Sequence, residues 1–308
     1  MKRTFPPLWI LSVLAALVAC GQGVTQPENA SFLPGDKLKV VATTTLVGDV
    51  VRQIGGETLD LTVLLPVGAD PHSFQPTPGD LAKVTTAQAI FISGAGLETF
   101  VQPLLKNSGS QARLVSVSDG IPLLEPPISM EHAAGDPHVW MDPNNVSVWT
   151  QNIEKTLVEM QPANASIYQA NAQAYRRALT ELDQWVRQQV ALIPPDNRKL
   201  VTDHQVFGYF ASRYGFQQVG AVIPGYSSMA EPSAQELAAL EEAIRSLSVR
   251  AAFVGNTVNP SLAERVAEDT GVPLVMVYTD SLTAPDGPAA TYLDFLRYNV
   301  NAIVSALK

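Results

Sequence analysis

Apolar residues along the chain fall into short runs and helical stripes that alternate in a regular order. Leu38 to Thr44 reads as a buried strand, and a helix through Val50, Val51 and Ile54 follows it and is closed by Gly55-Gly56. A second run, Leu61 to Leu65, ends at Pro66, so strand, helix and strand make one α/β unit with a parallel sheet. The same alternation predicts a helix over 80–86, a strand over 89–93, a helix over 97–105 and a strand over 113–117. Residues 119–143 read as a Pro-rich loop with no element of its own, and a loop of that length inside a compact domain is usually functional or disordered. Helical periodicity resumes over 144–160.

Beyond Pro162, residues Tyr168, Ala172, Tyr175, Leu179, Leu182, Val186 and Val190 recur every three or four positions until Pro194-Pro195 stop the pattern. A continuous helix there has about 30 residues and spans about 45 Å, long enough to bridge two lobes. Such a bridge predicts small or local closure rather than a wide hinge. A second α/β series follows, with strands over 199–202, 218–222, 249–254 and 274–278 and helices over 205–214, 232–247, 260–269 and 291–307. Pro232 is expected in the first turn of its helix, where a missing amide proton costs nothing. The predicted fold is α/β: two lobes with central parallel sheets joined by one long rigid helix, without a convincing sequence repeat.

Composition narrows the function. With 20 Lys plus Arg against 29 Asp plus Glu, the chain carries a formal charge of −9 and no basic cluster, which argues against a nucleic-acid partner. One cysteine excludes an internal disulfide framework and any multi-cysteine metal site. That cysteine closes a leader. Met1-Lys2-Arg3 is a positive start, Leu8 to Val18 is an apolar run too short to span a bilayer, and Leu17-Val18-Ala19-Cys20 looks like a bacterial lipobox. The expectation is a signal peptide over 1–19, acylation of Cys20 and a linker over 20–37 rich in Gly, Gln, Pro, Asn and Ser. Loss of Lys2 and Arg3 then leaves 18 − 29 = −11. The folded body divides into an N-terminal lobe over 38–160, the connecting helix over 161–194 and a C-terminal lobe over 195–308.

Four histidines carry the candidate chemistry. His72 and His138 each end an Asp-Pro-His triplet, at 70–72 and 136–138, where proline limits the backbone and can hold an imidazole in one direction. His204 follows the first strand of the second lobe and opens a helix, and Asp280 lies just past the strand ending at Tyr278. In parallel α/β sheets that edge gathers ligands, so the four side chains can meet across a cleft. Each has a plainer reading as well: a surface-loop histidine at 72, a capping or core histidine at 204, a turn aspartate at 280. His132, between Glu131 and Ala133, is either a secondary ligand or solvent-facing. Three imidazoles and a carboxylate make a nitrogen and oxygen shell for a divalent transition metal. No His-Glu-x-x-His helix, Gly-x-Ser-x-Gly elbow or phosphate-binding loop is present, so binding and release outranks an extracellular zinc metallohydrolase.

From Leu38 onward these motifs resemble the metal-binding solute receptors of bacterial zinc and manganese ABC importers. The matching segments are Gly68 to His72 with Pro76-Thr77-Pro78, Asp136 to Pro143, Asp203-His204 with Phe207 to Phe210, Glu231 to Ala234, Asn256 to Pro260 and Tyr278 to Leu282. The resemblance implies metal held between two lobes by His72, His138, His204 and Asp280 and delivered to a membrane permease driven by a cytoplasmic ATPase. It implies a monomeric, lipid-anchored protein outside the cytoplasm, on the periplasmic or extracellular side, without catalysis. A third imidazole at position 204 points to Zn²⁺, with Mn²⁺ as the alternative cargo and an adhesin role as a possible addition. The long histidine-rich loop of many zinc receptors has no counterpart beyond His132.

Overall fold

The computed structural model describes residues 1–2, 37–125 and 135–308. The expected leader from residue 3 on, Cys20 and its linker up to residue 36, and His132, lie outside the described residues. No helix among the described residues is long and apolar enough to cross a membrane.

The first lobe is built from β1 (Leu38–Ala42), α1 (Thr45–Gly55), β2 (Leu59–Val63), α2 (Pro78–Thr86), β3 (Ala89–Ile92), α3 (Val101–Ser108), β4 (Arg113–Ser116) and α4 (Pro143–Met160). Its strands are parallel in the order β2-β1-β3-β4, with Leu38 opposite Leu59 and Val40 opposite Ala89. Val41, Ile90, Leu64, Leu65, Val84 and Leu104 pack between the sheet and α2 and α3. Helix starts follow local chemistry. Thr44 caps α1 by accepting from the Val47 amide, Thr77 and Asp80 form a reciprocal capping box with Pro78 at the first turn of α2, and Asp142 caps α4 ahead of Pro143.

A 3₁₀ turn over Pro162–Asn164 precedes the connecting helix α5 (Ala165–Val190), so the continuous helix has 26 residues, about 39 Å, rather than about 30. Its buried stripe is Tyr168, Ala172, Tyr175, Leu179, Leu182, Val186 and Val190, the set that the periodicity marks. That stripe packs on α1 and α4 of the first lobe and on the C-terminal helix of the second.

The second lobe contains β5 (Lys199–Thr202), α6 (Gly208–Tyr214), β6 (Gln217–Ala221), α7 (Ala234–Ser246), β7 (Ala252–Gly255), α8 (Ser261–Thr270), β8 (Leu274–Val277) and α9 (Tyr292–Leu307). Its parallel order, β6-β5-β7-β8, repeats that of the first sheet. Val201, Ala252, Val254, Leu240, Ile244 and Val266 form its core with α7 and α8.

Several boundaries differ from the sequence expectation. Helix α3 starts at Val101 rather than 97, because Gly94, Ala95 and Gly96 all take positive φ and carry the chain through a turn. Ser233 is the N-cap of α7, so Pro232 stands before the helix and not in its first turn. The β7 ladder starts at Ala252 rather than 249, since Ser248 has positive φ and Val249 still bonds back to Ile244. Among the described residues of the expected 119–143 loop, Val139–Met141 form a 3₁₀ turn. That turn is buried and positions a candidate ligand.

Candidate metal centre

All four predicted side chains come together. One potential ligand atom from each of His72, His138, His204 and Asp280 lies within 4.8 Å of the others. The imidazole centroids are separated by 5.1 Å (His138–His204), 5.3 Å (His72–His138) and 5.5 Å (His72–His204). His138, His204 and Asp280 are buried, whereas His72 retains partial exposure and marks the mouth of the site. Each residue lies beyond the C-terminal end of a parallel strand: His72 after β2, His138 after β4, His204 after β5 and Asp280 after β8. The sheets therefore supply the convergence that the switch-point rule anticipates.

Local hydrogen bonds hold the rings. In both Asp-Pro-His corners the aspartate Oδ1 accepts the histidine backbone amide at 2.9 Å. Asp136 Oδ1 also takes His138 Nδ1 at 2.8 Å, and Asp203 Oδ1 takes His204 Nδ1 at 2.9 Å. These bonds place a proton on Nδ1 and turn both Nε2 atoms inward, where His204 offers its lone pair only after losing a second proton. His72 Nε2 and His138 Nε2 stand 3.2 Å apart, too close for two bare lone pairs, so a proton or a cation belongs between them. His204 Nε2 and Asp280 Oδ1 are buried without a hydrogen-bond partner. Unsatisfied buried polar atoms that converge on one point are what a metal would satisfy.

Two glycines make room for the supporting carboxylates. A Cβ at Gly208 would clash with Asp136 Oδ2, and one at Gly255 would come within 2.7 Å of Asp203 Oδ2, which accepts the Gly255 amide. The 278–282 segment is pinned on three sides. Tyr278 exchanges both backbone bonds with Asn299 of α9, Trp140 Nε1 donates to Thr279 O, and Leu282 N donates to Thr45 of the first lobe. Gly68 N donates to Ser281 Oγ and Ser228 Oγ donates to Asp70 Oδ2, so the stretch just before His72 is tied to the second lobe at two points.

The electrostatics divide the ligands. Burial, then the field of His204, holds His138 well below its ordinary value. Burial also lowers His72 against the pull of Asp280. Burial opposes charge on His204 too, but Asp203 and Asp280 outweigh it and raise the group to about 9. Asp280 stays below the usual carboxylate value because the three imidazoles overcome its desolvation. Desolvation wins at Asp136, which rises to about 7.

Asp70, Asp136, Asp203, Thr257 and Ser228 carry supporting roles that the sequence alone does not assign. For the first three a signal exists, as an acid one or two positions before each histidine. Nothing local announces Thr257 or Ser228, whose partners are 23 and 158 residues away.

Two α/β lobes on a rigid helix with a buried nitrogen and oxygen cluster between them define a solute receptor for a metal ion. The chain belongs to the family described as zinc-uptake complex component A, periplasmic, whose profile matches residues 40–306. It is similar to the manganese-binding lipoprotein MntA of Halalkalibacterium halodurans, 35% identical over 297 residues and 96% of both chains. Among solved structures it is similar to the periplasmic zinc-binding protein TroA of Treponema pallidum, with a TM-score of 0.82, 29% identity and coverage of 88% of this chain and 99% of that one. The Mn-bound periplasmic metal-binding protein of Candidatus Liberibacter asiaticus gives a TM-score of 0.79 at 28% identity, covering 88% and 100%. The protein is thus a divalent-metal solute-binding lipoprotein of an ABC importer, held outside the cytoplasm on the periplasmic or extracellular side by a lipid anchor, and family membership makes it a transport protein, not an enzyme.

Proposed function

We propose that His72, His138, His204 and Asp280 together hold the transported ion, that manganese is the physiological cargo, and that the loaded protein hands it to an ABC permease with a cytoplasmic ATPase. The observation that carries this reading is the convergence of four ligand atoms in which His204 Nε2 and Asp280 Oδ1 are buried and unpartnered. Residues 1–19 are the leader, cleavage exposes Cys20, and acylation there with the 20–37 linker tethers the two-lobed body.

Manganese ranks above the zinc expected from three imidazoles for two reasons. The Halalkalibacterium relative is named for manganese and the Liberibacter protein is Mn-bound, whereas the Treponema protein is named for zinc. In addition, Asp280 turns both oxygens toward the cluster, Oδ1 at 3.9 Å from His138 Nε2 and Oδ2 at 3.8 Å from His204 Nε2. A chelating carboxylate adds an oxygen beyond the tetrahedral set that zinc favours and suits the harder ion. Raw affinity does not decide the matter, since zinc binds almost any such site more tightly than manganese. The test is metal content and rescue in the native host. Protein isolated from its own envelope should carry about one manganese, and growth lost on deletion should return with added manganese. Stoichiometric zinc together with rescue by zinc alone would overturn the assignment.

A further inference from the structure

The Asn256-Thr257-Val258-Asn259-Pro260 segment is one of the chain's distinctive motifs, yet none of its side chains is among the four ligands. It lies just beyond the C-terminal end of β7, the strand beside β8 that delivers Asp280. Asn256 Oδ1 accepts the Thr279 amide at 3.4 Å, one residue before the ligand. Thr257 Oγ1 donates to Asp280 Oδ2 at 3.0 Å and lies 3.3 Å from Thr279 Oγ1. The other carboxylate oxygen, Oδ1, has no hydrogen-bond partner and faces His138.

A carboxylate on a single Cβ can rotate about its terminal bond, and that rotation is broad unless something stops it. Thr257 supplies a stop, beside the Thr279 hydroxyl, which also bonds the Asp280 carboxylate. The Thr257 hydroxyl engages one lone pair of Oδ2, and Oδ2 still lies 3.8 Å from His204 Nε2 while Oδ1 lies 3.9 Å from His138 Nε2. The plane of the carboxylate is thereby set so that both oxygens face the imidazoles. Resting on the proposed four-ligand site, we propose that Thr257 is a specificity-determining positioning residue that fixes Asp280 in a chelating orientation and so favours an ion that takes two carboxylate oxygens over one that takes a single oxygen. Groups at this distance from an ion commonly change its affinity by about 10- to 100-fold. The effect here falls unequally on two metals, because a freed carboxylate still offers one oxygen.

The test uses Thr257→Val and Thr257→Ser in the full chain, stripped of metal and titrated separately with Mn²⁺ and Zn²⁺. Thr257→Val should weaken manganese by about tenfold and zinc by less than about threefold, and Thr257→Ser should behave as the native protein. X-ray absorption of the manganese-loaded Val variant should show one oxygen fewer around the ion. Thr257→Ala repeats the measurement without a β-branched side chain if valine perturbs folding. Equal losses for both metals, or an unchanged manganese shell, would overturn the assignment. Asp280→Ala separates the two levels of the argument. If it abolishes tight binding while Thr257→Val leaves the metal ratio native, only the role of Thr257 fails; if Asp280→Ala binds like the native protein, the four-ligand reading fails with it.

Discussion

The two lobes share a strand order but use it differently at the edge where ligands gather. In the first sheet the gap between β1 and β3 is filled by Glu98, whose buried carboxylate accepts the Ser93 amide at 2.6 Å, the Gly94 amide at 3.0 Å and the Thr43 hydroxyl at 2.6 Å. Burial raises the pKa of that group, and none of its bonds reaches the metal centre. In the second sheet the matching position between β5 and β7 is Asp203, which takes the Gly255 amide with one oxygen and the His204 ring with the other. One lobe thus spends its switch point on internal closure, and the other uses it to aim a ligand.

The consequence is a difference in how the ligands are held. His204 is two residues past β5 and Asp280 three past β8, so the second lobe presents both from the sheet edge. His72 and His138 arrive on long excursions after β2 and β4, stiffened by Asp-Pro corners and tied to the other lobe through Ser228, Ser281 and Trp140. Even within the first lobe the repeated triplet diverges. Asp136 holds the His138 ring, whereas Asp70 Oδ2 accepts Ser73 and Ser228 instead. The second lobe thus presents its two proposed ligands directly from the sheet edge, and the first presents its two on loops bonded across the seam.

The largest test of that division is Asp280→Asn, which removes the only carboxylate among the four. A four-ligand site worth roughly 10–16 kcal/mol loses on the order of 10²- to 10³-fold in affinity when one ligand fails, to be read by competitive titration. A loss below tenfold would make the second lobe's contribution dispensable. Next, Asp203→Asn and Asp136→Asn should each lower affinity by about 10- to 100-fold. Only the Asp203 change also weakens a side-chain bond to the end of β7, the Gly255 amide, and it should cost about 1–3 kcal/mol of stability in denaturant unfolding. Equal stability losses would erase the contrast between lobes.

Proton coupling sharpens it further. His204 is raised from 6.5 to about 9, so it is largely protonated at pH 8 and must lose that proton to bind metal. His72 and His138 are shifted down and are already neutral there. Metal binding should release about one proton at pH 8, measured by calorimetry in buffers of different ionisation enthalpy, and affinity should rise with pH until about 9. The metal-free fold has the opposite dependence from this group: its contribution to stability is full below pH 6.5 and is lost as pH rises through about 9. The smallest expected effect is Ser228→Ala, which removes one tie across the seam while Asp70 keeps Ser73. Its cost of about 0.5–1.5 kcal/mol should appear as a metal off-rate roughly 2- to 10-fold faster.

Much of this is legible along the chain. Seven apolar positions at helical spacing mark the buried face of α5, because a helix packed on one side must repeat its period. Two Asp-Pro-His triplets stand out because stiff corners and scarce histidines are visible locally. What stays hidden depends on tertiary contact. The 3₁₀ turn at Val139–Met141 forms where Trp140 finds Thr279 and Tyr292, each more than 130 residues away. The grip of Thr257 on Asp280 requires β7 and β8 to be neighbours, which no spacing announces. A count of imidazoles points to one metal, whereas the carboxylate's orientation, set by that same contact, bears on the choice as much.

The most direct test of the central claim is an anomalous-scattering crystal structure of protein stripped of metal and reloaded with one equivalent of Mn²⁺. A single peak should lie within bonding distance of the His72, His138 and His204 Nε2 atoms and of Asp280. A peak elsewhere, or a loaded centre in which either lobe contributes no ligand, would contradict it.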